Sequence, residues 1–338
     1  MDGVGVPVEG LNARLIALHG ESVAGRMKEL LARQKESWEG LRTGYAALAE
    51  VRVRELSYPG VTVRLEFNPA RIVSTSAPVD DRSIRERKCF LCAANLPPEQ
   101  RGFLYGADHL VLCNPFPIFR EHFTIPHKDH VPQRIDGRFG TLLALARDLD
   151  PHFMVMYNGP RSGASAPDHQ HFQAGERGFL PIEREYAALA GGGRTLSDTG
   201  TRVLAVDDGL RRWFALEGGD VGGLEVTFGG ILRALAFGTA TAEEPMLNIL
   251  AWYMRGAWRV IIVPRAKHRP SAYFAEGENK ILISPAGTDC GGVCVTPVEK
   301  DFQNLTAESM RAIFDEVMAP PDAFTLACDR AEQALHAQ

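Results

Sequence analysis

The stretch from Phe153 to Gly175 constrains the fold of this chain more than any other. An apolar run, Phe-Met-Val-Met-Tyr-Asn-Gly, passes into a loop of small residues, Pro-Arg-Ser-Gly-Ala-Ser-Ala-Pro-Asp, and then into His-Gln-His-Phe-Gln-Ala-Gly. The first run reads as a buried strand and the last as a second strand. Strand alternation puts His169, His171 and Gln173 on one face, with Gln170 and Phe172 on the other. Three polar side chains aligned on a strand face are costly to bury without partners, so they line a site. The small-residue loop before them offers backbone N–H groups that suit a phosphate.

Around this centre the pattern alternates between helix and strand. Apolar spacing from about Leu11 to Glu50 predicts one or two helices. Val51 to Ser76 alternates, with a turn at Tyr58-Pro59-Gly60 between two strands. His109–Phe116 and His122–His127 read as short strands, and Gly137–Leu149 as a helix. Residues 175 to 200 read as a glycine-bearing linker, and 200 to 240 as short strands with glycine turns. Met246–Pro264 reads as two strands joined near Arg255-Gly256, and Ala307–Met318 as a closing helix. A weak internal repeat matches His122–Pro132 with Arg259–Pro270: in each a strand ends at a proline (Pro126, Pro264), and a histidine follows (His130, His268). Two similar α+β units in one chain would form an internal pseudo-dimer.

Bulk properties exclude several classes. The net charge of −5 over 338 residues lacks the basic excess of a general nucleic-acid surface. It leaves room for a small phosphorylated ligand held by a few arginines. No apolar run has membrane-spanning length, and residues 1–20 lack the pattern of a secretory signal. Six scattered cysteines fit a reducing compartment, which makes the cytoplasm the default expectation. Cys89-x-x-Cys92 is half of a zinc site, whereas Cys113, Cys290, Cys294 and Cys328 read as packing residues.

The histidine segment suits attack on phosphorus. A neutral imidazole is a good nucleophile near pH 7. Gln173 can donate a hydrogen bond to a phosphoryl oxygen without supplying a proton, and Gly163 and Ser165 can add electrostatic support. Arg71, Arg161, Arg265 and Lys267 are candidate phosphate binders.

These residues resemble the galactose-1-phosphate uridylyltransferase branch of the histidine-triad superfamily, which includes the diadenosine-tetraphosphate and GDP-galactose phosphorylases. The signature there is His-x-His-x-Gln, and its middle histidine, here His171, takes the nucleotidyl group. Phe67–Ser74, containing Arg71, resembles the strand whose arginines hold phosphate. Cys89–Asn95 resembles the zinc knuckle, and Asn114-Pro115-Phe116 the part that holds the nucleoside. Asn158, Gly163 and Ser165 match the loop around the nucleotide phosphates. Residues 284–297 look more like the phosphorylases. The likeness spans roughly residues 60 to 305. It departs at Asp168, interposed before His169, and at Gln170, which replaces a proline. The second unit lacks His-x-His-x-Gln, so one active site per chain is expected.

The resemblance implies an α+β fold with antiparallel sheets and flanking helices. Its expected divisions are a helical segment (1–50), a catalytic histidine-triad-like unit (51–185) and a degenerate second unit (200–325). The implied activity is nucleotidyl transfer through a nucleotidyl-histidine. Phosphorolysis of a nucleotide sugar or dinucleoside polyphosphate is favoured, with transfer to a sugar 1-phosphate as the alternative. A nucleotide-binding sensor without turnover is the rival of another class. His171, Gln173 and His169 are the expected catalytic residues. Arg71, Asn114, Phe116, Asn158, Arg161, Gly163 and Ser165 are the expected nucleotide contacts. A structural zinc is implied on Cys89, Cys92 and His169. His130, His127 or His122 stands as the fourth ligand, His130 preferred. Inorganic phosphate or a sugar 1-phosphate is the expected co-substrate, and the chain is expected to act as a monomer or homodimer, without nucleic acid or membrane partners.

Overall fold

The computed structural model describes residues 9–236 and 243–336; the first eight residues of the expected helical segment lie outside these. The helical spacing near the N-terminus becomes two helices, Val23–Ser37 and Glu39–Ala46. The alternating stretch becomes a hairpin of β1 (Arg52–Tyr58) and β2 (Val61–Phe67), turned at Gly60 with φ +74°.

A ten-stranded antiparallel sheet then runs through the whole molecule. Its first half holds β3 (Gly102–Tyr105), β4 (His109–Cys113), β5 (His122–Pro126), β6 (Phe153–Asn158) and β7 (His171–Glu176). Its second half holds β8 (Arg194–Thr199), β9 (Thr201–Asp207), β10 (Arg212–Gly218), β11 (Leu247–Met254) and β12 (Ala257–Pro264). The spatial order is β3-β4-β5-β7-β6-β11-β12-β10-β9-β8. Each strand of the first half therefore has its mirror counterpart five strands later, and β6 pairs with β11 at the seam. In each half a helix joins the third strand to the fourth: Phe139–Asp148 and Val221–Leu235. Phe139 and Phe228, one from each helix, stack at 3.8 Å with planes 4° apart.

The pseudo-dimer is thus real, but the repeat seen in sequence aligned the wrong strands. It matched β5 with β12, whereas topology makes β7 the counterpart of β12 and β5 that of β10. Both matched segments are strands running into a proline and a loop, and that local likeness is independent of place in the sheet. Two further expectations change. The glycine-bearing linker holds the helix Pro181–Gly191 and β8. Residues 221–235 form a helix despite four glycines, because Leu224, Phe228 and Ile231 bury one stripe against the sheet.

One face of the sheet is covered by the N-terminal helices, the two crossover helices and the C-terminal helix Pro321–His336. The other carries a three-stranded sheet, β1-β2-β13, in which β13 (Val293–Thr296) runs parallel to β2. Covered on both faces, β6 is buried at every residue, which explains its uninterrupted apolar run. Among the described residues no helix is long and apolar enough to cross a membrane.

Candidate functional site

A cavity of about 350 Å³ opens on the face shared with the small sheet. Met156, Asn158, His171 and Gln173 form its floor. Residues 163–166 line it as well, together with Arg71, His268, Arg269, Ser284 and Thr288. Met156 and Gln173 are cross-strand partners, so they share a face. Beyond this pair the β6–β7 ladder ends, and the side chain of Gln133 fills the gap. Its Oε1 accepts from His171 N–H at 2.8 Å, and its Nε2 donates to the carbonyls of Asn158 (2.8 Å) and His171 (3.1 Å). Nothing in the sequence around Gln133 signalled this brace.

His171 is 4% exposed. Its Nδ1 donates to the His169 carbonyl at 2.8 Å, which leaves Nε2 as the nitrogen carrying a free lone pair. Burial pushes its pKa down to about 4, so the imidazole is neutral near pH 7. Gln173 accepts at Oε1 from His122 Nε2 at 2.9 Å.

His169 departs from the expected alignment. It precedes β7, and its ring leaves the cavity for a cluster with Cys89, Cys92 and His130, whose ligand atoms all lie within 4.8 Å of one another. Nδ1 of His169 is 3.2 Å from Cys89 Sγ and 3.6 Å from Cys92 Sγ, and His130 Nδ1 is 3.3 Å from Cys92 Sγ. A tetrahedral zinc with two sulfur and two nitrogen ligands spaces them by about 3.5 Å, so the donor set fits that ion. His169 Nε2 donates to the His127 carbonyl at 2.7 Å, which fixes the tautomer that frees Nδ1 for a metal. Of the three candidates for fourth ligand, the structure brings His130 to the cluster. His127 gives its carbonyl instead, and His122 is buried against Gln173. Asp168, the inserted residue, pairs with Arg87 and approaches His130 Nε2 at 4.0 Å, so it buttresses the cluster.

The remaining candidates divide. Arg71 lines the cavity. One guanidinium nitrogen donates to the Phe116 carbonyl, and its buried Nε has no partner. Burial lowers its pKa to about 10, and Asp289 opposes the shift. Phe116 is 42% exposed at the cavity and can stack on a base. Asn114 is there too, but its amide is engaged: Oδ1 accepts from Phe116 N–H at 2.9 Å and Nδ2 donates to Thr124 Oγ1 at 3.2 Å. Asn158 Oδ1 accepts from Asn248 Nδ2 and Gly287 N–H, both at 2.8 Å, which ties the site across the seam to the second unit. Gly163 has φ +96°, and a Cβ there would meet Ala286 Cβ at 2.5 Å. Only glycine fits both demands. Ser165 lines the cavity beside it.

Arg161, Arg265 and Lys267 are not among the lining residues. Arg161 pairs with Glu243 at 2.5 Å on the surface, and Lys267 with Glu316 at 2.7 Å. Arg265 is buried and spends its guanidinium on Asn248 Oδ1 and the carbonyls of Val317, Pro285, Lys267 and His268. The basic residues that do face the cavity from the second unit, Arg269 and His268, the latter kept neutral by burial and by the Arg269 and Arg265 charges, went unremarked as ligand contacts in the sequence.

Fold and site together define a class: an α+β chain of two histidine-triad-like units on one antiparallel sheet, with a histidine–glutamine pair in the first. β12, the counterpart of β7, carries neither histidine nor glutamine, so the signature is not repeated on that strand. Yeast Ap4A phosphorylase Apa2 has a similar fold. Its complex with Ap4A aligns with TM-score 0.57 and 17% identity over 87% of this chain and 97% of Apa2. Its AMP complex gives 0.55 and 17% over 87% and 96%. In sequence, galactose-1-phosphate uridylyltransferase of Clostridium acetobutylicum is 27% identical over 125 residues, 30% of this chain; the match spans only 24% of that relative's length. A family described as a domain of unknown function, DUF4922, matches residues 30–176. The branch that the motifs resemble is therefore met again in fold and in a stretch of sequence.

Proposed function

We propose that this chain is a nucleotidyltransferase that works through a nucleotide held covalently on His171. The observation that carries the proposal is the state of His171: a buried, neutral imidazole whose Nδ1 is tied to a carbonyl and whose residue lines the cavity. Its Nε2 lone pair attacks the α-phosphorus of a bound nucleoside polyphosphate derivative. The bond from that phosphorus to the bridging oxygen breaks, and the electron pair leaves with the distal phosphate or sugar phosphate. The resulting imidazolium keeps its Nδ1–H on the His169 carbonyl, which stabilises the charge. An oxygen of inorganic phosphate or a sugar 1-phosphate then attacks, the phosphorus–nitrogen bond breaks, and neutral His171 returns.

Arg71 would neutralise phosphate charge, and Phe116 would pack on the base. A structural zinc on Cys89, Cys92, His130 and His169 would hold the segment that leads into β7. The likeness to Apa2 along most of the chain favours a dinucleoside polyphosphate or nucleotide sugar cleaved by phosphate. The local match to a uridylyltransferase supports sugar 1-phosphate as the other acceptor.

Intact-mass measurement after brief incubation with a panel of such donors tests the proposal. Wild type should gain one nucleotidyl group and His171→Ala none. Nucleotide binding without any adduct would replace it with a sensor role. Dependence of turnover on inorganic phosphate separates phosphorolysis from sugar-phosphate transfer.

A further inference from the structure

A primary amide at Gln173 is ambiguous in a way that matters for phosphoryl chemistry. Turned one way it presents an NH2 donor to a phosphoryl oxygen; turned the other it presents an oxygen, which repels it. We infer that His122 is a positioning residue that settles this choice, fixing Gln173 with its NH2 group toward the phosphoryl group held at His171. The inference rests on the function proposed above.

The direction of every hydrogen bond in this chain follows from its first member. Ile118 N–H is a backbone donor and cannot reverse. It donates to His122 Nδ1 at 3.2 Å, so that nitrogen carries no proton. A neutral imidazole then has its hydrogen on Nε2, which donates to Gln173 Oε1 at 2.9 Å. With its oxygen engaged, Gln173 is left with its amide nitrogen, which makes no hydrogen bond among the described residues, in a side chain that lines the cavity.

The imidazole is held in this state from all sides. His122 is 1% exposed, and burial, with the nearby Arg71 charge acting the same way, keeps it neutral. Its backbone is clamped. The N–H donates to Tyr45 Oη at 3.1 Å, and the carbonyl accepts from Tyr45 Oη and Asn114 N–H, both at 2.9 Å. Phe119 packs edge-on against the ring at 5.1 Å. Gly175 makes room for that phenyl group, since a Cβ there would lie 2.6 Å from it. The Tyr45 helix thus reaches the reaction centre through one imidazole and one amide.

Two variants separate the roles of the ring nitrogens. In His122→Asn the amide can still meet Ile118 N–H but is too short to reach Gln173. In His122→Gln it reaches Gln173. The readouts are donor Kd and the single-turnover rate of nucleotidyl-enzyme formation. His122→Asn should slow that step by about tenfold or more while donor Kd stays within about twofold, because the Gln173 donor acts on charge that develops in the transition state. His122→Gln should recover much of the rate. In a Gln173→Ala background, His122→Asn should cost little further. Equal costs in both backgrounds, or a loss confined to Kd, would overturn the inference.

A second measurement stands apart from activity. Long-range proton–nitrogen correlation on 15N-labelled protein, assigned with His122→Asn, should show His122 protonated at Nε2; protonation at Nδ1 would refute the assignment. Absence of any nucleotidyl adduct on wild type would instead sink the proposed function, and the tautomer would still decide the direction of the chain.

Discussion

Replacing Gln133 with leucine removes an amide that joins two diverging strands while nearly keeping the side-chain volume. Gln133 is 1% exposed, so no solvent can take over its contacts. The substitution strips a partner from the His171 N–H and from the carbonyls of Asn158 and His171. At a net worth of about 1 kcal/mol for each bond, the loss is about 3 kcal/mol, and more if the backbone groups stay dry. Urea unfolding should show the midpoint falling with the slope unchanged, which places the effect in the native state. Because the same amide holds the backbone of His171, formation of the nucleotidyl-enzyme should slow as well. A loss below about 1 kcal/mol would mean that the strands close on each other or admit water, and the bracing role would be wrong.

Other expectations follow from single contacts. Purified wild type should hold about one zinc per chain, and Cys92→Ser should lose it together with thermal stability, as metal analysis beside a melting curve would show. Gly163→Ala should destabilise by about 2 kcal/mol or more, because alanine meets both a left-handed backbone and Ala286; a neutral result in calorimetry would contradict the close approach. Arg161→Ala should change stability by less than about 0.5 kcal/mol and donor Kd by less than about twofold, since its ion pair with Glu243 is more than half exposed on both sides. His122 titrates near 3 in the folded chain, against about 6.5 unfolded. Unfolding therefore takes up a proton between those values, and stability falls as pH drops through them. Going from pH 7.5 to 5 should cost about 2 kcal/mol that His122→Asn does not lose, read as a difference in unfolding free energy.

Much of this protein was legible one segment at a time. The strand pair around the histidines, the hairpins at Gly60 and Arg255-Gly256, and the helices Val23–Ser37 and Ala307–Val317 carry their periodicity in the sequence, whereas the last helix, Pro321–His336, was not expected. The helix Val221–Leu235 was hidden because its four glycines read as turns, and only the sheet beneath rewards its apolar stripe. The internal repeat was visible as a fact and misleading as an alignment, since a strand running into a proline looks alike wherever it lies.

By itself the sequence marked the candidates for chemistry: a histidine and a glutamine two positions apart on a strand, a glycine-serine loop before them, and a cysteine pair at metal-ligand spacing. Only the tertiary structure decided what each is free to do. It sent His169 out of the cavity to the cysteines and committed Arg161 and Arg265 to other partners. It tied up Asn114, brought Gln133 from an unmarked position to His171, and set His122, marked only as a zinc ligand, against Gln173. The physical reason is that a hydrogen-bonding group has few bonds to give. Which of them remain for a ligand depends on neighbours set by packing, 38 residues away for the Gln133–His171 bond and 51 for His122–Gln173, distances over which no local pattern in the chain carries information.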